Sequence, residues 1–462
     1  MFEFGRELKR LFKADGSKDG LTGGDASLLE LLDLDLLRAE GRAADVAAGR
    51  ISAKDRAKRY LEAARVWREI ARRTGDVAAL RKAASAAEQA AAGFDRERRM
   101  AAWSAARCEQ AGVALLGAEL FGDDGLNAAA DAALKHAQEA AGDSAIGPLA
   151  ASGRAVIEAR ALKDIANRDQ AMMAAARFDG PIQDLETHGR RRAAARLLAA
   201  QVRIDRAEFL LSCGARLREP MLLRMALDGA LLALRKLDPA YEPLSWARAS
   251  AARWGATATA AALDVDIEAI AKAVTGLVSV LETLSRDDSP LDWASVQMCL
   301  AEALQLLGEA TDSDGAFAQA AGAYARVLTV LDRMPSVPAR AEVSFRRALC
   351  MARRAELAAD LKGLRAAENA LRHELAQGSP QKDPVGWAVR QLGLASLHEA
   401  RVRVSGRDRG DRARSALAVA LALEVFKEHG LRGLADESAK ALERAKRPLP
   451  TQASPASRGR TP

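Results

Sequence analysis

Tryptophans recur along this chain at a fixed interval. Trp246 opens "WARASAARWGATA", Trp293 lies 47 residues later, and Trp387 opens "WAVRQLGLASLHEA" 94 residues beyond that, twice the same step. The copy between them starts near Ala341, in "PARAEVSFRRALCMARRAEL". Earlier copies start at Trp103, near Ala151 and near Leu197, and the first starts at Arg56, in "RAKRYLEAARVWREIARRTGD". Successive starts are 46 to 49 residues apart, giving eight copies. Self-similarity at such a period marks a repeat array, in which each unit buries its apolar face only against its neighbours.

Each copy reads as two helices. Pro148, Pro243, Pro290, Pro338 and Pro384 all stand three residues before the copy's reference position. Proline suits a first helical turn, where its missing N–H would have had no partner. Ser289 and Asp383 precede two of these prolines as N-caps, and Ser289 with Asp292 approximates a capping box. In the copy at Trp293, the apolar stripe Trp293, Val296, Leu300, Ala303, Leu304 and Leu307 predicts a first helix ending at Gly308. Phe317, Ala320, Tyr324, Val327, Leu328 and Leu331 share one face of a second. Alanine is more than a fifth of the chain, and charged residues are 28%. Alanine favours helix and lets helices approach closely. The expected fold is all-α: a solenoid of about eight helix–turn–helix repeats with a period of about 47 residues.

The pattern resembles the tetratricopeptide family: helical hairpins with an aromatic residue opening the first helix, small residues where helices cross, and proline at the unit's end. Trp387, Leu392-Gly393, and Ala320 with Tyr324 carry the resemblance. The period is longer than that family's 34 residues, and several copies lack the Trp. The resemblance implies binding through a concave face lined by the first helix of each unit. Trp103, Trp246, Trp293 and Trp387 then read as one structural position, a ring wedged between consecutive units. Indoles spread along an array do not converge on one ligand.

The expected boundaries are residues 1–26 as an amphipathic segment and linker, 27–49 as a capping helix, 50–446 as the solenoid and 447–462 as a Pro/Ser/Arg-rich disordered tail. In "MFEFGRELKRLFK", Phe4, Leu8, Leu11 and Phe12 share a helical face beside Lys9 and Arg10, the pattern of an interfacial helix that docks on a partner or an anionic membrane surface. "DGSKDGLTGGD" begins like an EF-hand loop, but Ala26 stands where a bidentate Glu is required; it reads as a linker. Arg190, Arg191, Arg192 and Arg196 gather near a predicted helix start, where cations oppose the dipole, and form a candidate patch for an acidic partner. The arginines from Arg401 to Arg414 read as a solvated face or as salt bridges between repeats.

The net charge of +7 is spread over interspersed signs, a slight bias toward anionic partners. Cys108, Cys213, Cys299 and Cys350 form no CxxC pair and read as reduced, buried small hydrophobes. No signal-peptide core and no 18-residue apolar run occurs, so the expected location is cytoplasmic, with the inner face of a membrane as the alternative. No GxxxxGK and no HExxH occurs, so P-loop and zincin chemistry are excluded. His373-Glu374 and His398-Glu399 begin the latter motif without completing it and, with His136, His188 and His429, read as surface residues. Asp123-Asp124 and Asp287-Asp288 read as turn and capping residues. No cofactor or metal is expected. The expected function is a non-enzymatic scaffold that binds a peptide or protein on the concave face. The alternatives are a peripheral membrane organiser held by residues 1–13 and, below it, a nucleic-acid-binding array, which would need the aromatic platforms this chain lacks.

Overall fold

The computed structural model describes residues 29–50, 55–189, 193–334, 338–377, 380–381 and 383–446. These form nineteen α-helices and no strand. After a helical turn at residues 29–31, α1 spans Leu34–Gly49. Helical hairpins follow: α2 (Arg56–Thr74) with α3 (Val77–Gly93), α4 (Met100–Phe121) with α5 (Asp124–Ala140), α9 (Ala193–Leu217) with α10 (Pro220–Leu234), α11 (Pro243–Leu263) with α12 (Ile267–Glu282), and α13 (Pro290–Thr311) with α14 (Asp314–Leu331). The described residues form an all-α array of helical repeats, neighbouring hairpins packing together.

Local chemistry sets the ends. Pro243, Pro290, Pro338 and Pro384 each begin a helix; Pro148 is third in α6 (Ile146–Leu162). Asp76, Asp123, Asp266 and Ser313 cap their helices by accepting backbone N–H bonds, as does Asp383 for α17 (Pro384–Ser405). Gly75 and Gly122 adopt left-handed conformations at C-caps.

Three expectations change. The first helix of the copy at Trp293 passes Gly308 and stops at Thr311, where Asp312 takes the left-handed cap. Gly308 lies inside because the Phe317 ring packs over it, 3.0 Å from where a Cβ would stand. Ser289 makes no cap; its hydroxyl donates to Asp292 instead. The copy near Ala151 holds three helices, α6, α7 (Arg168–Ala176) and α8 (Asp179–Gly189). Pro181 forces that break. Within a continuous helix its ring would clash with the Arg177 carbonyl, whereas in the first turn of α8 it is tolerated.

The chain divides after Leu357 into two compact units. In the first, which ends with α15 (Pro338–Leu357), the array closes on itself: α13 packs against α2. Arg72 of α2 donates to Asp292 of α13 at 2.8 and 3.1 Å. The Asp288 carboxylate, in the turn before α13, accepts from the Leu34 N–H that opens α1 (3.3 Å). The buried residues form successive clusters along the hairpins; one of them runs from α11 to α15, with Phe317, Tyr324 and Leu277 fully buried in it.

The second unit holds α16 (Leu361–Gln377), α17, α18 (Asp411–Glu428) and α19 (Arg432–Lys446), with Phe426 and Ala388 at its centre. His398 is not a surface residue: it is 1% exposed, and its Nδ1 lies 3.0 Å from Asp411. It falls on the side of α17 that α18 covers, which the adjacent Glu399 does not reveal. Arg401 bridges Glu368 and Asp411 in the same cluster. Arg403 pairs with Glu399, and Arg414 with Asp411.

Candidate functional site

In the first unit, several first helices meet on one face around a cavity. α2, α4, α6 and α9 line a cavity of about 360 Å³. Its apolar part comes from Leu115, Leu116, Leu149 and Leu198, and its charged part from Arg65, Arg68, Arg72, Arg160, Glu109, Glu119 and Asp205. Among the described residues no Trp, Tyr or Phe lines it. Gly112 keeps it open, with the Arg68 side chain 3.5 Å from where a Cβ would stand.

Opposite charges tie these helices together. Arg68 of α2 pairs with Glu109 of α4, and Arg160 of α6 with Glu119 of α4 (2.7 Å). Arg248 of α11 reaches Asp205 and Glu208 of α9 at 3.0 and 2.6 Å, and Arg346 of α15 reaches Glu302 of α13 at 3.1 Å. The partners of the first two pairs stand 41 residues apart, and those of Arg248 stand 43 and 40. An arginine and an acid separated by slightly less than one repeat is the signal that would have found this ladder.

Beside the cavity, the face holds a stretch of the chain itself. Leu29 lines the cavity. The Arg73 guanidinium, 1% exposed, donates to the Leu29 carbonyl, to the Leu32 carbonyl at 2.7 Å and to Glu69 at 2.8 Å. Glu69 also accepts two bonds from Arg72 at 2.8 and 2.9 Å. Burial alone would push the Glu69 carboxyl up, but Arg72 and Arg73 bring it down to about 2. The Glu30 carboxylate, 8% exposed, accepts from the N–H groups of Leu244 and Ser245 at 3.0 and 2.9 Å and from the Ser245 hydroxyl at 2.5 Å. Those N–H groups belong to the first turn of α11, whose own N-cap residue, Glu242, supplies no side-chain bond. Glu30 thus supplies an anion to a helix N-terminus, where unpaired N–H groups and the dipole favour one. Burial still holds its carboxyl above the usual range, against the lowering by Ser245.

The residues singled out from the sequence lie elsewhere. Trp103, Trp246, Trp293 and Trp387 are each the fourth residue of a first helix. Their N–H groups donate to the carbonyls of Arg99, Glu242, Ser289 and Asp383, the first bonds of those helices. Arg196 donates to the Lys236 carbonyl (2.9 Å) and to Glu242 (2.6 Å), so its guanidinium is engaged within the protein. Arg190, Arg191 and Arg192 lie outside the described residues, as do Phe4, Leu8, Lys9, Arg10, Leu11 and Phe12 and the "DGSKDGLTGGD" stretch. Cys213 and Cys350 are buried, whereas Cys108, which lines the cavity, and Cys299 are only half-buried; all four are free. Burial pushes the Cys108 and Cys350 thiols up to about 12. Among the described residues no His, Cys, Asp and Glu cluster is placed to hold a metal ion, and no helix is long and apolar enough to cross a membrane.

No protein-family model and no curated protein matches the chain. Solved structures do. The Rap protein complexed with competence and sporulation factor is similar over 84% of this chain and 98% of its own, at 10% identity and a TM-score of 0.47. An IFIT1 monomeric mutant with m7Gppp-AAAA is similar over 89% and 76%, at 13% and 0.37. The P58(IPK) TPR domain is similar over 90% and 99%, at 16% and 0.22.

Proposed function

We propose that this protein is a non-enzymatic interaction scaffold that binds a peptide segment of a protein partner on the inner face formed by α2, α4, α6 and α9. One observation carries this reading. That face already holds a run of polypeptide by the means peptide binding requires: an arginine on main-chain carbonyls, helix N–H groups on a side-chain carboxylate, and an apolar floor beside them. Salt-bridged first helices keep the face pre-organised, which lowers the ordering cost of binding. The described lining is aliphatic and charged, which suits a peptide better than stacked bases.

The test places a photo-crosslinking residue at Leu149 and compares the chain with a Gly112→Trp variant. The indole would enter the cavity, and its Cβ meets only the flexible Arg68 side chain. The expected result is cross-links that map to one contiguous partner segment and vanish in the variant, at unchanged helicity. Cross-links that persist in Gly112→Trp would overturn the reading.

A further inference from the structure

Residues 29–33 touch the core of α1, α2 and α3 only in part, through the half-buried Leu29 and Leu32. Glu30 is the buried side chain of the stretch, while Leu31 is 39% exposed, Leu29 and Leu32 are half-buried and Asp33 is exposed. A segment meant to stay would bury its leucines, since apolar burial is what holds cores together. Here the anchor is a carboxylate, and burying a carboxylate costs free energy that its hydrogen bonds must offset. Its receptors are provided almost wholly by distant parts of the chain: Arg73 on α2, Gln201 on α9 (3.5 Å to Glu30), and Leu244 and Ser245 on α11. Gln201 also donates to the Ser245 hydroxyl at 3.1 Å, which orients that hydroxyl toward the carboxylate. These groups therefore form a built receptor for one acidic side chain and the carbonyls flanking it.

We propose that residues 29–33 are a tethered pseudo-ligand, and that the partner segment which displaces them is an acidic peptide whose glutamate is flanked by leucines. This rests on the reading of the inner face as a peptide site, and it names the ligand chemistry and adds a control on access. The partner's glutamate replaces Glu30 at the Leu244 and Ser245 N–H groups. Its main-chain carbonyls replace those of Leu29 and Leu32 at Arg73, and its leading leucine takes the place of Leu29 against the cavity. Because the resident segment is tethered, it competes at an effective concentration on the order of millimolar. A free peptide of equal intrinsic affinity is then held off until the segment is released.

The experiment uses the full chain and a fluorescent peptide of the sequence SLLELLDLDLL, residues 27–37. Anisotropy is expected to show binding to Glu30→Ala at least about tenfold tighter than to the unmodified chain, because the internal competitor is lost. A peptide with Gln in place of the fourth-position Glu is expected to bind that variant at least about tenfold more weakly than the parent peptide, having lost the charge that the helix terminus receives. Equal affinity of the parent peptide for both chains, equal affinity of the two peptides for Glu30→Ala, or no binding at all would each overturn the proposal. If Glu30→Ala does not fold, hydrogen exchange on the unmodified chain with saturating peptide decides. The amides of Leu34 and Leu36 should lose protection while that of Ser245 keeps it, and no change at Leu34 and Leu36 refutes displacement. Should Gly112→Trp abolish partner cross-linking while Glu30→Ala alters nothing, the peptide site stands and the pseudo-ligand falls.

Discussion

Replacing Arg73 by methionine removes a side chain that joins α2 to the carbonyls ahead of α1. Arg73 is almost wholly buried and makes three contacts: Leu29 carbonyl, Leu32 carbonyl and Glu69. Hydrogen bonds from a charged donor contribute about 1.5–3 kcal/mol each, and stripping one member from a buried ion pair costs about 3–5 kcal/mol. Glu69 keeps both bonds to Arg72, and methionine fills most of the vacated volume, so the lower bound applies. The expected loss is about 3 kcal/mol. At about 2.1 cal/mol/K per residue of unfolding entropy, a unit this long shifts its melting midpoint by roughly 4 °C. The local signature is larger: exchange protection of the Leu34 and Leu36 amides should fall roughly a hundredfold, since each 1.4 kcal/mol is about a factor of ten in an opening equilibrium. Lysine at position 73 restores the charge toward Glu69 but lacks the fork that spans two carbonyls, so it should recover only part of the loss. A midpoint unchanged by the methionine, with protection at Leu34 and Leu36 intact, would refute the clamp and the accounting built on it.

Other outcomes can be checked directly. Trp103→Ala, at a ring 7% exposed in the core between α2 and α4, should cost about 3–5 kcal/mol in denaturant titration, with partner binding falling only as far as folding does. Glu69 sits at about 2 in the folded chain against an ordinary 4.5. Its contribution, about 3 kcal/mol, is therefore fully present above pH 4.5 and lost as pH falls toward 2, and Glu69→Gln should flatten that acid limb of the melting profile. Burial lowers His398 below its usual 6.5, against the pull of Asp411. The second unit should hold its full stability above pH 6.5 and lose it as pH falls below, a limb that His398→Gln should erase in the same scan.

What the sequence displayed and what it hid differ in the range of the forces involved. Hairpin construction is local: a proline at a helix start, an aspartate accepting the next turn's N–H, an indole as fourth residue. Each acts within a few residues of itself, so reading along the chain finds it. Closure of the first unit is not local. Arg72 and Asp292 meet across 220 positions, and Glu30 meets Ser245 across 215. Neither pair has any mark in its own neighbourhood, because the small rotation from each hairpin to the next decides which hairpins finally touch. Glu30 within "SLLELLDLDLL" looks like any acid on a solvated helix flank, and the arginine that reads its neighbours' carbonyls looks like any residue of "IARRTG". His398 shows the same limit at shorter range: a helix has one face toward its partner, and an alanine-rich stripe beside charged residues marks that face too faintly to place a single imidazole. Repeat proteins make this division sharp. Their units are specified by short-range chemistry, but the inner face, where a ligand would sit, is assembled from one or two residues of each unit. A site of the kind proposed therefore becomes visible only when the array is wound, and the self-held segment at residues 29–33 is the observation from which it is proposed.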